Sequence, residues 1–171
     1  NTGTRIGETF AIDLSQDVDF EKHELRIHGQ MQKVEKTWYI KPPKYDSYRT
    51  IKMGETLEKE LKFAIQQRRI NKLKYGGAYS KTYLLPDRSI AQIRADIDVP
   101  YKEILPLCVK ENGALLTPDS FKYCARIIHY ELNNPLFHAH CLRHTHGTIL
   151  AENGVNPKTV ICFFFREVRR E

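Results

Sequence analysis

The sequence predicts an α+β domain that is mainly α-helical, with a small three-stranded antiparallel sheet near the N-terminus. Apolar and polar residues alternate with the period of a strand within residues 24–53. Apolar residues recur at helical spacing from residue 57 and again from residue 121. The chain has 171 residues, of which 41% are hydrophobic and 28% are charged, so it can bury the core of one domain.

The elements of the N-terminal half follow from these periods. A short helix is predicted over residues 5–14. A long helix, with apolar residues from Leu57 to Ile65 at helical spacing, ends near Lys74. Three strands are predicted between the two helices, at residues 24–31, 36–41 and 47–53. The turns between them are short, which favours antiparallel pairing.

The C-terminal half is predicted to be helical. Residues 77–113 show no clear period, and we interpret them as short helices mixed with loops. Thr117 can cap the clearest helix, and the Asn-Asn-Pro run at residues 133–135 ends it. A histidine-rich helix then stops at Gly154, and an Asn-Pro pair at residues 156–157 begins another.

Composition narrows the class of protein. Lys and Arg exceed Asp and Glu by 27 to 21, and this formal charge of +6 suits a polyanionic partner such as DNA. No stretch approaches the roughly 20 apolar residues of a membrane helix, and the polar first residues show no signal-peptide pattern. The four cysteines are far apart, which argues against a disulfide scaffold and against a zinc ribbon. This use of cysteine predicts a protein of the reducing cell interior.

Four of the seven histidines lie between His138 and His146, and they could be metal ligands, acid–base groups or polar residues at a helix start. His140 and His144 share a helix face, as paired zinc ligands do. A hydrolytic zinc helix carries a glutamate between them, whereas here Arg143 intervenes and its charge opposes a metal ion. We therefore predict no metal site, with a zinc hydrolase as the least favoured alternative.

Motifs elsewhere in the chain bear on these alternatives. TGTRIGE occupies residues 2–8, PKYDSYRTI residues 43–51, HCLRHTH residues 140–146 and GVNPKTV residues 154–160. In this order they resemble the catalytic domain of tyrosine recombinases, the phage integrase family, most closely integrases of conjugative transposons and Gram-positive phages. That family shows T-G-x-R-x-[GS]-E, then P-K-x-x-S-x-R-x-I on a β-hairpin, then H-x-L-R-H-T-H.

The resemblance implies a reaction and residues for it. Family members attack a DNA phosphodiester with a tyrosine, form a 3′-phosphotyrosyl intermediate, and need neither metal nor ATP. By resemblance, Arg5 and Arg143 bind the phosphate, for which a permanently charged, planar guanidinium is suited. Lys44 is the general acid for the leaving 5′-oxygen, with Lys41 as its competitor, and His140 assists proton transfer at the tyrosine.

Further expectations follow from the same resemblance. His144 and Glu8 are assigned supporting roles, and no cofactor is predicted. The expected partners are double-stranded DNA at attachment sites and other recombinase protomers, in a tetrameric synapse. The expected location is the bacterial cytoplasm, in association with the nucleoid.

The chain departs from the family pattern after Val160. No L-G-H follows, and residues 161–171 are interpreted as a non-family tail behind a partial catalytic domain at residues 1–160 that lacks the N-terminal core-binding domain. None of the nine tyrosines, the last being Tyr130, sits where the pattern places the nucleophile. We therefore predict no nucleophile in this chain and no strand cleavage by it alone. The alternative is a non-catalytic DNA-binding remnant of an integrase.

Overall fold

Helices and short antiparallel strands occur in separate groups along the chain, which confirms the predicted α+β class. The computed structural model describes residues 2–160, so the predicted tail at residues 161–171 lies outside the described residues. The helices are α1 (Ile6–Phe10), α2 (Glu55–Tyr75), α3 (Phe121–Tyr130) and α4 (Ala139–Glu152). The strands are β1 (Val18–Asp19), β2 (Glu24–Ile27), β3 (Gln30–Val34), β4 (Thr37–Lys41), β5 (Arg49–Lys52), β6 (Ser80–Leu84), β7 (Ile90–Arg94) and β8 (Lys102–Ile104).

The predicted strand at residues 24–31 is in fact two strands that belong to different sheets. β2 pairs with β1 and β5, whereas β3 pairs with β4 in a separate hairpin. The break falls at Gly29, where an added Cβ would lie 3.0 Å from Cγ2 of Ile40 and 3.3 Å from the carbonyl oxygen of Lys41. The predicted three-stranded antiparallel sheet near the N-terminus is present, but it contains β1, β2 and β5, and the predicted strand at residues 36–41 lies outside it in the β3–β4 hairpin.

The prediction of short helices and loops over residues 77–113 is also wrong. This segment holds a second three-stranded antiparallel sheet, in the order β7-β6-β8. The central strand β6 buries Thr82 and Tyr83 at adjacent positions, so it lacks the alternation of apolar and polar residues by which a strand is identified.

Two apolar clusters form the core on either side of the segment that follows α1. One contains Ile12, Leu14, Leu25, Ile27, Ile51, Met53 and Leu61, and the other contains Ala11, Met31, Ile40 and Ile104. Helix α1 is shorter than the predicted helix at residues 5–14, because residues 11–14 leave it to contribute to both clusters. This packing holds the start of α1 in a defined place, which matters for the site below.

The two C-terminal helices add no residue to either core cluster. Among residues 2–160, both clusters consist of residues at or before Ile104. The α3 face that includes Ile127 stays half-exposed, and Leu132 beyond it is 69% exposed. Helix α3 follows a short 3₁₀ turn that Thr117 and Ser120 cap reciprocally, and α4 ends before Gly154, as predicted.

Candidate active site

The first motif folds into the start of α1, where Arg5 and Glu8 bind each other. The backbone N–H of Arg5 donates to Oε2 of Glu8 at 2.8 Å, and Nη1 of Arg5 donates to Oε1 at 2.8 Å. The carboxylate of Glu8 is completely buried, whereas the Arg5 side chain keeps 18% of its surface exposed. The buried Glu8 carboxylate thus fixes the position of the Arg5 guanidinium, which stays partly exposed.

A second arginine, Arg49 at the start of β5, binds the same carboxylate. Its Nη2 donates to Oε2 of Glu8 at 2.7 Å and its Nη1 donates to Oε1 at 3.2 Å. Burial raises the pKa of Glu8. The hydrogen bonds and charge of Arg49, together with the bonds from Arg5, lower this pKa by more than burial raises it. The pKa of Glu8 therefore lies below its ordinary value, and the group is an anion at neutral pH.

Ser47 connects this pair of arginines to the segment that carries Lys44. The buried Ser47 hydroxyl accepts from Nη1 of Arg5 at 3.2 Å, and its carbonyl oxygen accepts from Nη1 of Arg49 at 3.2 Å. Lys44 was predicted to lie on a hairpin, and the structure places it instead in a 3₁₀ turn, Lys44–Asp46, between β4 and β5. Two residues, Tyr45 and Asp46, lie between the lysine and this serine.

The Lys44 side chain is exposed, with Nζ 4.9 Å from the ring centroid of Tyr45. Its competitor Lys41 ends β4, with Nζ 5.8 Å from the ring centroid of Tyr39. Lys44 is the more exposed of the two lysines, and only Lys44 belongs to the turn that Ser47 closes. The role of Lys44 as general acid remains a prediction.

The third motif, HCLRHTH, carries Arg143, which contacts the first motif at Gly3. Arg143 lies on α4, is 5% exposed, and donates from Nη1 to the carbonyl oxygen of Gly3. Burial and the positive charge of Arg5 lower the pKa of Arg143 to about 10, although the charge of Glu8 opposes this shift. Arg5 and Arg143, which lie 138 positions apart in the sequence (143 minus 5), therefore share one electrostatic environment.

Three histidines at the start of α4 make two different kinds of contact. His140 and His144 meet edge to face, with ring centroids 5.0 Å apart. Burial and the charges of His144, Arg143 and Arg5 lower the pKa of His140, so its imidazole is neutral at pH 7. His138 instead caps the helix, accepting the N–H of Cys141 on Nδ1 at 3.2 Å. His138 is thus one of the polar residues at a helix start that the sequence left open.

Within the described range, 2–160, no group of three or more His, Cys, Asp and Glu side chains is placed to hold a metal ion. Over the same residues, the longest and most apolar helices still fall short of what crossing a bilayer requires.

The sequence prediction missed Arg49 and Ser47 as members of this site. Both belong to the PKYDSYRTI motif, which was used only to choose Lys44. A buried carboxylate between two arginines cannot be identified from sequence, because the pairing of β5 with β2 brings Arg49 under α1.

Comparison with known proteins decides the family. Over residues 1–163, the chain matches the model of the phage integrase family. The chain belongs to this family. The match confirms the resemblance drawn from the four motifs.

Relatives of this integrase-family chain are longer than it is. A XerC-like tyrosine recombinase of Caldanaerobacter subterraneus subsp. tengcongensis is 28% identical in an alignment of length 169 that covers 93% of this chain and 38% of the relative. The Tn1549 transposon integrase in complex with circular intermediate DNA has the same fold, with a TM-score of 0.69 and 23% identity. Its complex with transposon right end DNA gives a TM-score of 0.65 and 24% identity. Both alignments cover 95% of this chain and 46% of the integrase, so the chain spans less than half the length of these relatives.

Proposed function

We propose that this chain supplies the phosphate-binding and proton-transfer groups of a site-specific DNA recombinase that acts through a 3′-phosphotyrosyl intermediate. The observation that carries the proposal is that Arg143, from the third motif, binds the carbonyl oxygen of Gly3, two residues before Arg5, which itself binds the buried carboxylate of Glu8. Two arginines beside each other repel, so their proximity costs stability unless an anion binds there. A DNA phosphate is such an anion.

The charge of this cluster fits phosphoryl transfer. Arg5, Arg49 and Arg143 carry three positive charges and Glu8 carries one negative charge, which leaves +2. A phosphodiester carries one negative charge, and more negative charge develops on its non-bridging oxygens in the transition state. A preorganised excess of two positive charges therefore stabilises the transition state more strongly than the bound substrate.

Proton transfer is assigned to the two groups around this cluster. Lys44, on its exposed turn, donates a proton to the leaving 5′-oxygen, and His140 accepts the proton of the attacking tyrosine. The lowered pKa of His140 supports this direction, because a neutral imidazole accepts a proton and an imidazolium does not. His144 supports His140 through their edge contact.

We further propose that the attacking tyrosine is not one of the nine in this sequence. The family pattern places it after an L-G-H motif, which this sequence does not contain. The proposed partners are double-stranded DNA at attachment sites and other recombinase protomers in a tetrameric synapse. The proposed location is the bacterial cytoplasm, in association with the nucleoid.

The phosphate site is tested by binding of a DNA duplex over a salt series. Arg5→Gln and Arg143→Gln should each weaken binding about tenfold, because a hydrogen bond to a charged group is worth about 1.5–3 kcal/mol. Each should also lower the slope of log affinity against log salt by about 0.9, the value for one phosphate contact. Arg69→Gln removes the same charge from an exposed position on α2 and is the matched control. Equal losses in all three variants would mean that net charge alone binds DNA, and would refute the site.

The nucleophile is tested on a denaturing gel after incubation with nicked DNA. We expect no covalent protein–DNA adduct from this chain alone. An adduct that Tyr45→Phe or Tyr48→Phe abolishes would assign the nucleophile to that tyrosine and overturn this part of the proposal. The alternative, a non-catalytic DNA-binding remnant, shares the arginine site and also predicts no adduct, so an adduct would overturn it as well.

A further inference from the structure

We propose that Arg49 is a positioning residue of the phosphate site: by neutralising Glu8, it leaves the charge of Arg5 available to a DNA phosphate. This inference rests on the function proposed above. It concerns a residue that neither binds phosphate itself nor takes part in proton transfer.

The geometry distinguishes Arg49 from the two phosphate-binding arginines. Its two terminal nitrogens reach both carboxylate oxygens of Glu8, at 2.7 and 3.2 Å, in the paired arrangement that a guanidinium makes with a carboxylate. Its Nη1 also donates to the carbonyl oxygen of Ser47. The Arg49 side chain is only 9% exposed, half of the exposed fraction of Arg5. Arg49 is therefore the more buried of the two arginines that bind this carboxylate, and Arg5 is the more accessible one.

Charge explains why a second arginine is needed. The Glu8 carboxylate has no exposed surface, so water does not screen it. With Arg5 as its sole partner, Glu8 would form a neutral pair and cancel most of the attraction of Arg5 for phosphate. Arg49 pairs with Glu8 and neutralises its negative charge, so Glu8 can orient Arg5 without cancelling the charge of Arg5.

The same arginine also ties the proposed general acid to the phosphate site. Nη1 of Arg49 binds the Ser47 carbonyl oxygen at 3.2 Å, while the Ser47 hydroxyl accepts from Nη1 of Arg5 at 3.2 Å. Ser47 follows directly after the Lys44–Asp46 turn. Arg49 thus fixes the end of the turn from which Lys44 reaches the phosphate that Arg5 binds.

Neutralising Arg49 alone, and then together with Glu8, distinguishes a positioning role of Arg49 from a purely structural one. The arginine and glutamate charges sum to +2 in the parent, to +1 in Arg49→Gln, and again to +2 in the double variant Glu8→Gln/Arg49→Gln. Duplex DNA binding is measured over a salt series for these three proteins and for Arg5→Gln. Arg94→Gln, which removes an exposed arginine paired with Asp96, is the matched control. Thermal unfolding of each variant shows that it is folded at the assay temperature.

Arg49→Gln is expected to weaken DNA binding about tenfold and to lower the salt slope by about 0.9, as Arg5→Gln does, because in Arg49→Gln the unneutralised Glu8 cancels the attraction of Arg5 for its phosphate. The double variant is expected to regain the parental salt slope, because the two remaining arginines then face no carboxylate. Arg94→Gln is expected to leave the slope unchanged.

The outcomes separate this inference from the proposed function. A slope that stays low in the double variant would make Arg49 a phosphate contact in its own right and overturn the inference. Normal binding by Arg49→Gln, with weakened binding by Arg5→Gln, would overturn the inference and leave the proposed function standing. Normal binding by Arg5→Gln would refute the phosphate site itself. Should Arg49→Gln not fold, the double variant decides alone: a parental slope supports the inference, and a slope lower by about 0.9 overturns it.

Discussion

Replacement of the buried Asp13 tests how the segment after α1 is held. The Asp13 side chain accepts from the Ser15 backbone N–H at 2.9 Å, the Ser15 hydroxyl at 2.6 Å, and the Leu105 backbone N–H at 3.0 Å. It also accepts from the Gln16 side chain at 3.0 Å. The bond to Leu105 crosses 92 positions of sequence and joins the start of the fold to the end of β8.

The magnitude follows from which donors lose their partner. In Asp13→Ala, the Leu105 and Ser15 N–H groups lose bonds to a carboxylate, each worth about 1.5–3 kcal/mol, while the Ser15 and Gln16 side chains turn to water. Release of the buried charge beside Asp17 offsets part of this loss. We expect the free energy of unfolding to fall by about 3 kcal/mol, which in a domain of this size lowers Tm by about 6–12 °C.

The chain contains a matched control for this measurement. Asp87, exposed in the turn before β7, accepts from the Ser89 N–H at 2.9 Å and the Ser89 hydroxyl at 2.6 Å, the same local pair that Asp13 makes. Urea and thermal unfolding of Asp13→Ala and Asp87→Ala therefore isolate the bonds to Leu105 and Gln16 and the effect of burial. Equal losses of stability in the two variants would refute the reasoning.

Two more predictions concern stability. The hydrogen bond to Asp17 raises the pKa of His28 despite its partial burial, so the protonated pair contributes its full stability below about pH 6.5 and loses it as the pH rises through the raised value. His28→Gln should remove this dependence from the urea midpoint, and an unchanged pH profile would contradict the assignment. Gly113→Ala should cost more than about 2 kcal/mol, because φ is +81° and an added Cβ would lie 2.2 Å from the carbonyl oxygen of Ser80. Gly76→Ala, at φ +52° with open space around it, is the control that should lose about 1–2 kcal/mol, and a loss as large as that of Gly113→Ala would mean that the contact is irrelevant.

The elements that were predicted correctly are those whose signal is local. Helix α2 carries apolar residues at helical spacing and ends at a glycine pair, and α4 ends before Gly154, where φ is +74°. These features depend on residues a few positions apart, so they can be identified in the sequence. The sheet at residues 80–104 was missed, because its central strand buries Thr82 beside Tyr83 and its partners come from further along the chain.

The candidate site divides in the same way. Arg5, Lys44, His140 and Arg143 were identified from motifs, each a short run of residues whose spacing is preserved in the sequence. Their side-chain chemistry follows from residue type alone: a guanidinium stays charged, and an imidazole titrates near neutrality.

By itself, the sequence determined the family, the α+β class and the residue types available for phosphate binding and proton transfer. The tertiary structure alone decided that Arg143 binds the motif that carries Arg5, that the Glu8 side chain is fully buried, and that Arg49 and Ser47 complete the cluster. The physical reason is that a charge acts through space and through its degree of burial, and neither quantity exists until strand pairing and core packing bring distant segments together.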